Sequence, residues 1–301
     1  MHGQPLALIG VPTSAGAFAP GQERAPGALR DAGLLELLRD AGIDVHDRGD
    51  RQVWRWRPDR ENPHAQNLGA VVEIVRDTAR RVAAAVAEGE ATLVLGGDCT
   101  VGIGTVAGHV ESGESIGLVY FDAHADLNTP TSVHQGALDW MGMAHMLGEE
   151  GAAPELVEVG ATVPLLEAAQ VVVFGWGAEQ ATEHERKAVE RLSLEVVPAD
   201  EVRADPAAAA TRALGLLEER ANRFVVHFDV DVIDFTDAPL SENPGRNEGL
   251  VYDDAVRALE VVLRSPRLAG LTLTELNPAH AAAAAGSVDR LTADLARLLS
   301  Q

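Results

Sequence analysis

The sequence predicts an α/β fold built on a mostly parallel sheet. Short apolar segments rich in β-branched residues recur along the chain, and helix-length amphipathic stretches separate most of them. Several of the short segments are apolar at every position, which is typical of parallel strands covered by helices on both faces. Alternation of the two kinds of segment indicates strands connected by crossover helices.

The elements can be assigned in chain order. The predicted strands are residues 6–11, 44–46, 92–95, 116–121, 171–174, 195–197, 224–228 and 271–273. The predicted helices are residues 27–41, 68–87, 183–192, 207–221, 253–263 and 288–299.

No internal repeat and no linker rich in Pro, Gly or Ser divides the chain. The basic and aromatic stretch 53–62 is interpreted as a surface loop, with a pocket mouth as the alternative. Residues 281–285 favour a loop or a short helix. We therefore expect residues 1–301 to form a single domain.

Composition excludes several functional classes. The 301 residues carry 46 acidic and 24 basic side chains, a formal charge of −22. Nucleic acid and anionic membranes both require a basic surface, so neither is expected as the main partner. A single cysteine excludes an internal disulfide, and no apolar run reaches the ~18 residues of a membrane helix. The expectation is a soluble, cytoplasmic protein.

Ligands of parallel α/β sheets bind beyond the carboxyl ends of the strands, so the residues that follow each strand are the candidates for chemistry. Residues 96–100, Gly-Gly-Asp-Cys-Thr, follow the third predicted strand. The glycines permit a tight turn, and Cys99 stands where a strand opens into a helix, a position that stabilises a thiolate. A small buried hydrophobic side chain is the alternative interpretation of Cys99.

Asp122, His124 and Asp126 follow the fourth predicted strand with a spacing of two. In extended backbone this spacing puts the three side chains on one face, where two carboxylates repel each other unless a cation binds between them. A solvated polar loop is the alternative.

Asp229 and Asp231 repeat the same alternation after the strand 224–228. With Cys99 and the earlier triplet they make six candidate ligands, enough for two adjacent divalent ions that share carboxylates. The oxygen-rich set with one imidazole favours Mn²⁺, whereas the thiolate favours Zn²⁺, Fe²⁺ or Co²⁺.

Glu275 ends the last predicted strand, within Thr-Glu-Leu-Asn-Pro. Its carboxylate could accept hydrogen bonds from a planar cation such as a guanidinium, or it could cap a turn.

Taken together, the four segments GGDCT, DAHADLNTP, DVDVID and TELNP resemble the ureohydrolase family, which includes arginase, agmatinase, guanidinobutyrase and formiminoglutamase. The matching pieces span residues 96–278. The resemblance implies a three-layer α/β/α fold around an eight-stranded, mostly parallel sheet. It also implies a binuclear metal site and a homo-oligomer, commonly a trimer or hexamer.

The resemblance also implies roles for individual residues. Asp122 and Asp229 would bridge two ions, with Cys99 and Asp126 completing one site and His124 and Asp231 the other. Glu275 falls on the guanidinium-binding position, and Asn128 on a position that contacts the substrate carboxylate in arginases. Glu183 is similar to an acidic residue that binds the substrate amino group.

Four positions depart from the family pattern. Cys99 replaces a histidine ligand, and Asp139 replaces the histidine that shuttles protons to the leaving amine. Ala137 lacks an amide that contacts an amino-acid carboxylate, and Gln180 stands at a second acidic position. These departures make L-arginine an unfavourable substrate.

The resemblance implies a hydrolase that cleaves a C–N bond of a guanidino, hydroxyguanidino, amidino or formimino compound through a metal-bridging hydroxide. Asp229 would stabilise the tetrahedral intermediate, and Asp139 would donate a proton. The alternative is a catalytically impaired relative retained for ligand binding or oligomer assembly.

Overall fold

A computed structural model describes residues 3–243 and 248–301. Within these ranges one sheet contains eight strands, in the order β2-β1-β3-β8-β7-β4-β5-β6, and every pairing is parallel. The strands are β1 (Leu6–Gly10), β2 (Val45–Asp50), β3 (Ala91–Leu95), β4 (Ile116–Phe121), β5 (Val171–Trp176), β6 (Glu195–Pro198), β7 (Arg223–Asp229) and β8 (Leu268–Thr274). All eight predicted strands are present.

Helices cover both faces of the sheet. They are α1 (Ala25–Asp31), α2 (Leu34–Asp40), α3 (Leu68–Ala87), α4 (Val101–Val110), α5 (Gly142–Met146), α6 (Pro154–Val157), α7 (Glu183–Leu192), α8 (Ala199–Ala204), α9 (Pro206–Glu218), α10 (Tyr252–Leu263), α11 (Pro278–Ala281) and α12 (Ser287–Leu299). Short 3₁₀ turns occur at Gln22–Arg24, Asp139–Met141, Ala168–Gln170 and Val230–Val232.

The alternation of side chains along each strand divides the interior into two cores. On β1, Leu6 and Leu8 pack into one core with α1, α2, α9, α10 and α12. Ala7 and Ile9 pack into the other core with α3, α4, α5 and α7. Successive side chains of a strand point to opposite faces, so a strand buried on both sides must be apolar throughout. The predicted three-layer α/β/α architecture is confirmed.

Several boundaries differ from the predictions, and two of the differences bear on the fold and the site. The predicted helix 27–41 is two helices, because Gly33 adopts a left-handed φ of 85° between α1 and α2. Strand β7 continues to Asp229, which is therefore part of the sheet rather than of the following turn. Among the described residues, no helix is both long and apolar enough to cross a membrane.

The strand order decides where the site forms. Strands β3, β8, β7 and β4 are neighbours in the centre of the sheet, although 176 positions separate the segments that follow β3 and β8. Because all strands run in parallel, the polar residues that end or follow these four strands meet at one edge of the sheet.

Helices α3 and α4 pack closely because α4 carries glycine at the contact. A Cβ atom built on Gly104 would lie 2.6 Å from the carbonyl oxygen of Val75 and 2.7 Å from Cβ of Thr78. By contrast, a Cβ atom on Gly69, near the start of α3, meets nothing within 4 Å.

These two helical glycines make a matched pair of tests. Gly104→Ala should destabilise the fold by about 1–3 kcal/mol, because the backbone of α3 cannot yield without separating the helices. Gly69→Ala should leave stability unchanged or raise it by up to ~1 kcal/mol through helix propensity. Equilibrium denaturation by urea measures the free energy of unfolding of both variants. Equal changes for the two substitutions would contradict the close α3–α4 contact at Gly104.

His109 lies in α4, fully enclosed by the core. Its Nε2 atom is 2.9 Å from Oγ1 of Thr92, and only 2% of the residue is exposed. Burial lowers the pKa of His109 to about 3, so the imidazole stays neutral in the folded chain.

Since the unfolded chain binds a proton at His109 near pH 6.5 and the folded chain does not, folding should weaken as the pH falls below 6.5. The loss contributed by one such histidine is at most ~1.4 kcal/mol per pH unit. His109→Gln keeps an amide near Thr92 and should flatten the stability profile between pH 6.5 and 4. The exposed His64→Gln is the control, and a profile of equal slope in both variants would refute the assignment.

Candidate metal centre and substrate cavity

Cys99 lies at the start of the turn between β3 and α4, with 2% of its surface exposed. Its Sγ atom is 2.8 Å from Oδ2 of Asp229 and 3.3 Å from Oγ1 of Thr274. Nε2 of His227 is also 3.3 Å from this sulfur. The thiol is therefore surrounded by polar groups from β7 and β8, and the interpretation of Cys99 as an ordinary apolar core residue does not fit these surroundings.

Asp229 and Asp231 are oriented by the end of β7. Oδ1 of Asp229 accepts a 2.7 Å hydrogen bond from the backbone N–H of Asp231 at the start of a 3₁₀ turn. Oδ2 of Asp231 lies 3.3 Å from Nδ1 of His124 and accepts a hydrogen bond from the Asn243 amide. The two carboxylates thus face the segment that follows β4.

The triplet after β4 is held by its own backbone. Oδ1 of Asp122 accepts a 2.7 Å hydrogen bond from the backbone N–H of His124 and is 3.2 Å from Nδ1 of that residue. Asp126 adopts a left-handed φ of 50°, and its Oδ2 accepts a 2.5 Å hydrogen bond from Tyr120. A non-glycine residue in this region is strained, so the surroundings must hold Asp126 in place.

The structure therefore brings together all six predicted ligand residues. Candidate ligand atoms of Asp122, His124 and Asp126 lie within 4.8 Å of one another, and so do those of Cys99, Asp122, His227 and Asp229. Asp122 is shared by the two groups, as a bridging carboxylate would be. One of its oxygens, Oδ2, is buried and accepts no hydrogen bond.

The electrostatics of these groups indicate that a cation belongs among them. Burial, followed by repulsion from Asp126 and Asp231, raises the pKa of Asp122 well above its ordinary value. Burial and then Asp229 raise the pKa of the Cys99 thiol in the same way. Divalent cations would reverse both effects by stabilising the charged forms. The donor set, with its unpartnered oxygen on Asp122, fits such ions.

Glu275 follows β8 and has a left-handed φ of 62°. Its Oε1 accepts a 2.9 Å hydrogen bond from the backbone N–H of Cys99, and its Oε2 accepts one of 3.0 Å from the Gln22 side chain. Only 4% of the residue is exposed. The carboxylate is thus fixed next to the candidate ligands.

A cavity of about 350 Å³ opens above these residues. Its lining comprises Phe18, Cys99, His124, Asp126, Asn128, Gln135, Asp139, Trp140, Gln180, Thr182, Glu185, Asp229, Asp231, Asn243 and Glu275. The carboxylates lie together with aromatic and amide side chains, and none of the described lining residues is lysine or arginine. This distribution suits a cationic group bound among the carboxylates.

Asp139 lies in the cavity wall, 8% exposed, and its Oδ1 accepts a hydrogen bond from the backbone N–H of Trp140. Burial, followed by repulsion from Asp98, raises its pKa well above the ordinary range. Burial therefore shifts this carboxyl group towards its protonated form relative to an exposed aspartate.

The predicted substrate-binding residues are placed differently from one another. Asn128 lines the cavity, and its Oδ1 accepts a 2.7 Å hydrogen bond from Thr182. Glu183 does not line the cavity: its side chain is exposed and pairs with Lys187 one helical turn later. The neighbouring acidic residue of α7 that does line it is Glu185.

Sequence reasoning missed Glu185 and Gln22. Thr182 and Glu185 form the pattern Thr-x-x-Glu, which marks a helix start and often a reciprocal capping box. Thr182 does cap α7, but Glu185 accepts instead from the backbone N–H groups of Ala125 and Leu127. The pattern therefore signalled an unusual glutamate, whereas nothing in the sequence around Gln22 connects it to Glu275.

Comparisons with known proteins agree with this geometry. The family model described as "Arginase family" matches residues 4–299. An arginase of Bacillus caldovelox is 30% identical over 278 residues, covering 91% of both chains. Arginase-1 of Homo sapiens is 30% identical over 276 residues, covering 91% of this chain and 85% of the human one.

A solved structure of the Bacillus caldovelox arginase superposes with a TM-score of 0.86 at 28% identity, covering 99% of both chains. The chain belongs to the arginase family, whose members are hydrolases that act on guanidino or amidino compounds.

Proposed function

We propose that this chain is a binuclear metal-dependent hydrolase that cleaves a C–N bond of a guanidino, hydroxyguanidino or amidino compound, releasing urea or its equivalent and an amine. The observation that supports the proposal most directly is the convergence of six candidate ligands and Glu275 at one end of the cavity. The fold by itself does not require these residues to meet, because one fold can support many functions.

Within this proposal, two ions are held by the six residues that the motifs single out. Cys99 and Asp126 would hold one ion, His124 and Asp231 would hold the other, and both ions would share Asp122 and Asp229. Mn²⁺ fits the oxygen-rich set best, and Zn²⁺, Fe²⁺ or Co²⁺ fit the thiolate. When bound, the ions act as Lewis acids and lower the pKa of water near neutrality.

The remaining roles belong to the chain itself. Glu275 accepts hydrogen bonds from the guanidinium, and its contacts with Cys99 and Gln22 hold it in position to do so. Asp229 helps to stabilise the tetrahedral intermediate. Asp139 donates the proton that the leaving amine needs, and burial favours the protonated form of its carboxyl group.

The outer part of the cavity favours a substrate tail other than that of L-arginine. Phe18 and Trp140 meet edge to face with ring centroids 5.6 Å apart, and both line the cavity. Ala137 supplies no amide group at the position where arginases contact a carboxylate. Glu183 lies outside the cavity, so the acidic contact that the resemblance assigns to the substrate amino group is not supplied by that residue.

We further propose that residues 1–301 form one catalytic domain, since a single sheet carries every strand of the described chain. A trimeric or hexameric assembly and a cytoplasmic location stay predictions from the resemblance and from composition.

The proposal is tested by metal content and product formation together. The purified protein should hold about two divalent ions per chain by elemental analysis. It should also release urea or ammonia from at least one member of a panel of guanidino acids, guanidino amines, hydroxyguanidines and formimino compounds. A chain that retains no metal after exposure to micromolar Mn²⁺, Zn²⁺ or Co²⁺ would overturn the proposal. Metal binding without turnover of any compound would favour the catalytically impaired alternative.

Asp139 provides a separate test of proton donation. Asp139→Asn keeps the shape of the side chain but holds no transferable proton, so kcat should fall about 10²–10⁴-fold with little change in KM. Asp139→His restores a group that titrates near neutrality and should keep kcat within about tenfold of the wild type. Steady-state kinetics on the best substrate measures both. A kcat for Asp139→Asn equal to that of the wild type would exclude the role.

A further inference from the structure

The imidazole absent at position 99 has a substitute on β7, which lies two strands from β3 in the sheet. His227 stands two residues before Asp229 on β7, so both side chains point to the same side. Its Nε2 atom lies 3.3 Å from Sγ of Cys99 and 3.2 Å from Oγ1 of Thr274. The resemblance assigns no role to this histidine.

Four donors, His227 among them, lie close enough together to ligate one ion. Ligand atoms of Cys99, Asp122, His227 and Asp229 all lie within 4.8 Å of one another, and all four residues are buried. Zn–S and Zn–N bonds of ~2.3 and ~2.0 Å at a tetrahedral angle place sulfur and nitrogen ~3.5 Å apart. The observed separation of 3.3 Å is close to that value.

A second observation points to the same ion. Oδ2 of Asp122 is buried and accepts no hydrogen bond, although the other oxygen of that carboxylate binds the backbone of His124. An unpartnered carboxylate oxygen enclosed by protein is unfavourable unless a cation binds it.

The surroundings of His227 are shaped for an imidazole. Its ring stacks on Tyr120 with centroids 4.3 Å apart and planes 5° from parallel. On the other side, a Cβ atom on Gly102 would lie 2.5 Å from Nδ1, so only glycine at that position of α4 leaves room for the ring. Two elements besides β7 therefore fix the imidazole against Cys99.

We propose that His227 is itself a metal ligand, and that Cys99, Asp122, His227 and Asp229 form a site selective for Zn²⁺ or Co²⁺ over Mn²⁺. The inference rests on the proposed metal-dependent function and changes the ligand set of one of its two sites. A thiolate, an imidazole and carboxylates in tetrahedral arrangement suit Zn²⁺, whereas Mn²⁺ prefers oxygen donors.

Cobalt spectroscopy tests the ligand set without relying on turnover. The full chain is freed of metal with a chelator and titrated with Co²⁺, whose thiolate ligand gives a near-ultraviolet charge-transfer band and whose tetrahedral coordination gives an intense visible band. Competition with Zn²⁺ and Mn²⁺ then yields affinities. The variants are Cys99→Ser, His227→Gln and, as a buried histidine outside the site, His109→Gln. Circular dichroism verifies that each variant folds.

His227→Gln keeps a hydrogen-bond donor near the sulfur, but glutamine ligates metal poorly. The variant therefore distinguishes His227 as a metal ligand from His227 as a residue that only positions Cys99. We expect it to keep the near-ultraviolet band, to lose most of the visible intensity and to bind Zn²⁺ more than about 100-fold more weakly, beyond the usual effect of an outer contact. Cys99→Ser should lose the near-ultraviolet band, and His109→Gln should match the wild type.

Two results would overturn the inference. If His227→Gln binds Zn²⁺ within about threefold of the wild type with an unchanged visible band, His227 is not a ligand, while the proposed hydrolase stands. If the wild type binds Co²⁺ without a near-ultraviolet band and prefers Mn²⁺, the site does not use Cys99 in the proposed way. A wild-type chain that binds no ion at all contradicts the proposed function first, and this site with it.

Discussion

The structure depends on the burial of acidic side chains that, within the described part of the cavity lining, have neither lysine nor arginine beside them. Asp122, Asp126, Asp229 and Asp231 are each at most 5% exposed, and they meet around Cys99 and the imidazoles of His124 and His227. Desolvation and mutual repulsion both oppose ionisation of these groups in the folded chain. Bringing these carboxylates together is unfavourable by itself, and the divalent cations of the proposed function would provide the compensating interaction.

The rest of the site follows from that constraint. Backbone N–H groups orient one oxygen of Asp122 and one of Asp229, which leaves their other oxygens directed towards the shared centre. Asp126 and Glu275 are held at positive φ, a conformation that ordinary side chains avoid and that persists only where the surroundings enforce it. The two apolar cores provide that enforcement, because the sheet is buried on both faces and cannot relax locally.

The sequence was most informative where periodicity and strand ends carry the signal. Apolar segments located the strands, and the polar residues after four of them indicated the candidate metal centre, because parallel strands end at a common edge. The break between α1 and α2 at Gly33 was not predicted, since a glycine within a helical pattern does not by itself indicate a left-handed φ. The contact of Gln22 with Glu275 could not be predicted from the sequence, because 253 positions separate the two residues and tertiary packing alone brings them together.

Thermal unfolding with and without divalent ions tests the central claim most directly. If cations offset the burial of these carboxylates, saturating Zn²⁺ or Mn²⁺ should raise the Tm of the chelated protein by about 5 °C or more. Asp122→Asn removes one buried acid, so its metal-free form should be more stable than the metal-free wild type and should gain little from metal. A wild-type Tm unaffected by either ion, together with a metal-free Asp122→Asn that is less stable than the metal-free wild type, would contradict the account.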